Sequence, residues 1–141
     1  MKRRLIILGG AAVALAATWA SVNAGSGPAN IGLSLQSGAE LAADDSTLLV
    51  DVRRPDEWAD TGVVAGALLL TYEDAESFLA AIRPHLQEGQ SVSLICRSGG
   101  RSSRAARQLA AADPSLQFID IAGGMMRLID EGYQTVPPSE G

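Results

Sequence analysis

The sequence predicts an α/β domain, a mostly parallel β-sheet with helices on both faces. Two observations predict it. Short apolar runs at 46–52, 66–70, 91–96 and 116–121 have the length of buried strands. They alternate with helix-period segments, and such alternation implies right-handed crossovers between parallel neighbours.

Each element has its own local signal. Ser37-Gly38-Ala39-Glu40 has the Ser-x-x-Glu spacing of a capping box and opens a short helix through Leu41 and Ala42. "STLLVDV" (46–52) reads as a buried strand ending near an acid, Asp51. Pro55 suits the first turn of a helix that carries Glu57 and Trp58, with Trp58 read as core. After "GALLL" (66–70), residues 74–86 place Phe78, Leu79, Ile82 and Leu86 on one helical stripe, which Pro84 should kink or end. His85, beside it, reads as a surface residue. "SVSLIC" (91–96) is the next strand. The helix 101–112 follows, facing the core with Ala105, Leu109 and Ala112 and stopped by Pro114. "LQFIDI" (116–121) is a strand, and 124–131 a last helix before Gly132. In such sheets ligands bind beyond the carboxyl ends of the strands, where Asp51, Cys96 and Asp120 fall.

The first 24 residues read differently. Lys2, Arg3 and Arg4 precede a charge-free apolar or small run, Leu5 to Val22, and Val22-Asn23-Ala24 offers the small residues a signal peptidase reads. A cleaved secretory signal is the favoured reading over a retained membrane anchor, which sets the expected location as periplasmic or secreted. Residues 25–32 read as a flexible lead-in, 33–136 as the domain and 137–141 as a tail. Without residues 1–24, eight basic residues face sixteen acidic ones, a charge of −8. That balance argues against a general affinity for nucleic acid or anionic lipid, and a membrane partner is expected only if the N-terminal segment is retained.

Export sharpens the question of the single cysteine. Exported proteins usually pair cysteines, and Cys96 has no partner within the chain. It stands at the end of an apolar strand, followed by Arg97, Ser98, Gly99, Gly100 and Arg101. The two glycines permit a turn whose N–H groups converge as an anion-binding concavity. A helix start adds unpaired N–H groups and the positive end of its dipole. Two arginines there oppose the dipole unless an anion sits between them. A thiol in that field is expected to ionise readily and act as a nucleophile. Arg104 and Arg107, one and two turns on, read as solvent-facing.

Cys96-Arg97-Ser98-Gly99-Gly100-Arg101-Ser102 resembles the active loop of rhodanese-like single-domain sulfurtransferases. "DVRRPDEW" resembles that family's Asp-Val-Arg…Glu-aromatic element, Gly62 with Gly66-Ala67 its central turn, and Gly123-Gly124 with Gly132 its C-terminal element. The likeness spans roughly residues 33 to 136. Val63 departs from the family's usual histidine and Leu128 from its frequent tryptophan. The resemblance implies transfer of a sulfane sulfur from thiosulfate or a similar anionic donor through a persulfide on Cys96, to a thiol or cyanide. It implies no metal or organic cofactor. Cys96 is then the catalytic residue. Residues Arg97, Ser98, Gly99, Gly100, Arg101 and Ser102 bind the donor, and Asp51, Arg53 and Glu57 support the loop. Arg53 and Glu57, four apart, also fit an ordinary helix-surface pair. Met125-Met126 reads as packing beneath the loop.

Other functions compete. Phosphatases and arsenate reductases also set a cysteine and an arginine around an anion, but phosphatase loops have five residues between them. Here there are four. Many domains of such a fold are binding modules, and a fold does not establish activity. A carrier handing sulfur to one partner protein is a third reading. The retained cysteine, glycines and Arg101 favour the enzyme.

Overall fold

The computed structural model describes residues 30–139. The signal and most of the lead-in predicted from the sequence lie outside the described residues, as do the last two residues of the tail. Five parallel strands form one sheet: β1 (Ile31–Ser34), β2 (Thr47–Asp51), β3 (Leu68–Leu69), β4 (Ser91–Ile95) and β5 (Phe118–Ile121). Their spatial order is β1-β5-β4-β2-β3. The four crossovers carry α1 (Gly38–Ala43), α2 (Pro55–Thr61), α3 (Ala75–Ile82) and α4 (Gly100–Ala112), and α5 (Gly124–Asp130) follows β5. The predicted architecture is therefore the observed one.

Alternation along the central strands builds two cores. Val50, Val92 and Leu94 point to one face, where Phe78, Leu79 and Ile82 of α3 meet Ala105, Ala106 and Leu109 of α4. Leu49 and Ile95 point to the other, against Leu41 of α1 and Met125 and Leu128 of α5. The central strands are buried on both faces, which is why they read as unbroken apolar runs. Small alanines on α4 let that helix lie close to the sheet. Trp58 is a correction: α2 buries none of its residues, and the indole is only half-buried at the rim.

β1 is a second correction. Ile31 and Gly32, assigned to a flexible lead-in, pair with Phe118 and Ile119 of β5. An edge strand with Leu33 71% exposed lacks the apolar run that marks its buried neighbours. What holds it is long-range. The Asn30 side-chain amide donates to the Leu116 carbonyl at 2.9 Å, and the Phe118 N–H donates to the Asn30 carbonyl at 2.9 Å. Pro84 ends α3 as expected, within a 3-10 turn at Arg83–His85, and His85 is exposed. Among the described residues no helix is long and apolar enough to cross a membrane.

The capping box of α1 is present. Ser37 N–H donates to Glu40 Oε2 at 2.7 Å, and Glu40 N–H to Ser37 Oγ at 3.3 Å. The buried Gly38 beside it is required by packing, because a Cβ there would collide with the Tyr133 ring. That ring is itself tied, its hydroxyl accepting from the Ala65 N–H at 3.1 Å. Helix propensity alone would make Gly38→Ala stabilising by about 1 kcal/mol. The expected outcome is the reverse, a loss of about 1–3 kcal/mol from overpacking, read from denaturant midpoints.

Candidate active site

β4 delivers Cys96 to the carboxyl end of the sheet, where the chain turns and α4 begins. Cys96 is 1% exposed, its side chain set among the α3 and α4 core residues. Gly99 makes the turn with φ +102°, a conformation that other residues rarely adopt. Its N–H is thereby aimed back at Cys96 Sγ, at 3.1 Å. Only one of the two predicted turn glycines works this way. Gly100 is already helical, with open space where its Cβ would stand.

A second segment decides which way the loop faces. The N–H groups of Met125 and Met126, in the first turn of α5, donate to the carbonyls of Cys96 and Arg97 at 2.9 and 3.0 Å. The approach demands Gly124, whose φ is +59°; a Cβ there would strike the Cys96 carbonyl oxygen and lie 2.6 Å from the Arg97 carbonyl carbon. With the Cys96 and Arg97 carbonyls held by α5, the Gly99 N–H is left for the sulfur. Met125 is buried beneath the loop, as expected, while Met126 is half-buried.

The predicted donor-binding residues separate into two groups. Arg97 and Ser98 are exposed at the loop surface, and among the described residues the Arg97 guanidinium has no polar partner. Ser102 lies elsewhere: it is fully buried behind the sulfur, its Oγ 3.3 Å from Cys96 Sγ. From there Ser102 Oγ reaches Asp120 Oδ1 at 2.6 Å and the Gly99 carbonyl at 3.2 Å. Ser102 thus touches Cys96 Sγ rather than lining the mouth. Asp120, at the end of β5, was not among the predicted site residues. Its strand-end position was the available signal.

Arg101 is held by Glu57 through two parallel hydrogen bonds of 2.7 and 2.6 Å. That fork is the strong bidentate geometry of guanidinium and carboxylate. Arg101 therefore reaches the site partly neutralised, which leaves Arg97 as the freer charge. The fork, helped by the Arg54 N–H, brings the Glu57 carboxyl down from its ordinary 4.5 to about 2 against the opposing effect of burial. Arg101 is raised in turn, chiefly by Glu57.

Arg53 is not on a helix surface and does not pair with the Glu57 carboxylate, which corrects that reading. It is completely buried and forks onto Asp51, with Nη2 2.9 Å from Oδ2 and Nε 3.0 Å from Oδ1. It also donates to Thr61 Oγ1 at 2.8 Å and the Gly62 carbonyl at 3.0 Å. The pair ties the end of β2 to the C-terminal end of α2, and Arg53 also donates to the Glu57 carbonyl at 3.3 Å, which fixes where Glu57 stands. Val63, where a histidine was expected, is buried and bridges backbone to backbone with Val136, while Leu128 fills the α5 core. Beside the loop runs a groove of about 480 Å³ walled by Arg54, Tyr72, Arg101, Arg104 and Gln108. Among the described residues no three His, Cys, Asp or Glu side chains converge as metal ligands would.

Two expected outcomes follow from these ion pairs. Arg53→Leu strands a buried carboxylate on Asp51 and should cost about 3–5 kcal/mol, measured by denaturant unfolding. Glu57, depressed in the folded state, stabilises fully above its ordinary 4.5 and loses that contribution as pH falls toward about 2. Glu57→Gln should therefore lose less stability than the wild type between pH 4.5 and 2, followed by thermal melts.

Comparison with known proteins agrees with this geometry. A family model described as a Rhodanese-like domain matches residues 34–136. Among solved structures, a rhodanese-related protein from Thermoplasma volcanium is 26% identical with a TM-score of 0.55, over 73% of this chain and 97% of that one. A rhodanese-like domain protein from Staphylococcus aureus has a TM-score of 0.53 at 20% identity, over 76% of this chain and 98% of that one, and shares the fold. No curated protein sequence matches. With the model covering nearly all the described residues, the chain belongs to the rhodanese-like family.

Proposed function

We propose that the protein is a sulfurtransferase that carries a sulfane sulfur as a persulfide on Cys96. One observation carries the reading: the buried Cys96 sulfur receives the Gly99 N–H inside a loop whose carbonyls α5 holds. Such a setting favours a negative sulfur, whether the thiolate or the persulfide that follows it.

The Cys96 thiolate attacks the outer sulfur of thiosulfate or a similar donor. A new S–S bond forms, the donor's S–S bond breaks, and sulfite leaves with the electron pair. Arg97, exposed in the loop directly after Cys96, supports an anionic donor. In the second half-reaction a thiol or cyanide attacks the outer sulfur, and Cys96 leaves as thiolate. The chain has no second cysteine, so the acceptor is external, either a small molecule or a protein thiol. Arg54 and Arg104 in the adjoining groove support an anionic one. The basic start and charge-free run of residues 1–24 support a periplasmic or secreted setting.

Incubation of the protein with thiosulfate, without reductant, should add the mass of one sulfur atom to the intact chain. Cyanide should remove it, and Cys96→Ser should never acquire it. No gain in mass under these conditions would reject thiosulfate as donor.

A further inference from the structure

Asp120 is buried, 7% exposed, with a single side-chain hydrogen bond among the described residues, the 2.6 Å contact with Ser102 Oγ. From β1 it stands opposite Leu33 and from β4 opposite Leu94. Among the described residues no cation lies within salt-bridge distance of it. The charged groups around the loop have other partners or face solvent. Arg101 is forked to Glu57 and Arg53 to Asp51. Arg127 of α5 holds Glu131 and backbone carbonyls, and Arg97 is exposed. A buried, unpaired carboxylate one hydroxyl away from a nucleophilic sulfur is unfavourable for a thiolate if both groups are charged.

The hydroxyl between them has one proton to donate. If Asp120 is ionised, Ser102 donates to it and presents a lone pair to the sulfur, which then must be the thiol donating S–H. If Cys96 is the thiolate, the chain of hydrogen bonds has to run the other way. The Asp120 carboxylic acid then donates to Ser102 Oγ, and the Ser102 O–H donates to the sulfur. We propose that the Cys96–Ser102–Asp120 chain reverses in this manner, so that Asp120 takes up the Cys96 proton through the Ser102 hydroxyl.

The step is balanced. The S–H proton moves to Ser102 Oγ as the Ser102 O–H proton moves to Asp120 Oδ1, giving a thiolate and a neutral acid. The pair carries one negative charge before and after, so the thiolate forms without adding charge to a dry site. The Gly99 carbonyl, 3.2 Å from Ser102 Oγ, competes for the hydroxyl only weakly against the 2.6 Å carboxyl contact. Asp120 acts through Ser102 and is a positioning residue. The proposal rests on the reading of Cys96 as nucleophile, whatever its sulfur donor.

The test is the pH dependence of Cys96 alkylation by iodoacetamide, which needs no sulfur donor and so stands or falls apart from sulfur transfer. Coupled groups titrate as a pair, so each variant is compared with the wild type across the whole pH range. Asp120→Asn keeps the shape but cannot hold the proton. It should alkylate at least tenfold more slowly near pH ~6 and converge with the wild type above the free-thiol pKa of about 8.5. Ser102→Ala should do the same, and the double variant should be no slower than either single one. If Asp120→Asn reacts as fast as the wild type or faster near that pH, Asp120 merely repels the thiolate and the proposal is wrong. Infrared spectra keep the question open to test if the variants fold poorly. Wild-type protein near pH ~6 should show a protonated-carboxyl stretch that Cys96→Ala lacks; its absence from the wild type would overturn the proposal.

Discussion

Two backbone hydrogen bonds hold the site together, those from Met125 and Met126 at the start of α5 to the carbonyls of Cys96 and Arg97. A four-residue turn between strand and helix could face its amides or its carbonyls toward the cysteine. Paired with α5, the carbonyls are satisfied on the side away from the sulfur, and the amide of Gly99 is left for Sγ. Gly124 is the condition for that grip, since a side chain there would occupy the space of the Cys96 and Arg97 carbonyl groups. β5 lies beside β4 in the sheet, so the turn after β5 reaches the turn after β4 directly. Sheet order thus becomes loop orientation, and loop orientation becomes chemistry.

Charged and polar groups pack around the loop at different depths. The Asp120–Ser102–Cys96 chain is buried at the sulfur. The Asp51–Arg53 pair is fully buried and locked onto the C-terminal end of α2. Because that pair sets α2 in place, Glu57 can meet Arg101 in a fork rather than as a loose surface contact. Arg97 stays outermost and exposed. A buried ion pair adds little net stability, yet removing one member costs several kcal/mol. Arg53 is therefore better understood as a fixed strut than as a source of folding energy.

Much of the fold was legible because strands buried on both faces read as largely apolar runs, as Leu48 to Val50 of β2 and Val92, Leu94 and Ile95 of β4 do. The capping box of α1 and Pro84 at the end of α3 are local signals, and each did what local chemistry requires. β1 was not legible, because an edge strand is held by its partner's backbone and needs no apolar run. Trp58 misled for a related reason. A large aromatic suggests a core position, but α2 sits at the sheet rim, where the ring is only partly covered. In the site, Cys96 and Gly99 could be placed from the turn they make. Arg53 could not: beside Glu57 at helical spacing it resembles a surface pair, and only the fold reveals it buried on Asp51.

By itself the sequence determined the order of the buried strands and the helices between them, the position of the single cysteine and the turn that presents it. These depend on residues within a few positions of one another, where spacing and backbone preference act directly. Tertiary structure alone decided the environment of that cysteine: that Ser102 lies behind the sulfur and not at the mouth, that Arg101 belongs to Glu57, and that Asp120 closes the chain. The Arg101–Glu57 and Ser102–Asp120 contacts join segments 44 and 18 residues apart, and the Ser102–Cys96 contact depends on which face of α4 turns toward the sulfur. Their geometry follows from which strand lies beside which and from which face a helix presents, and neither is written in any single stretch of residues.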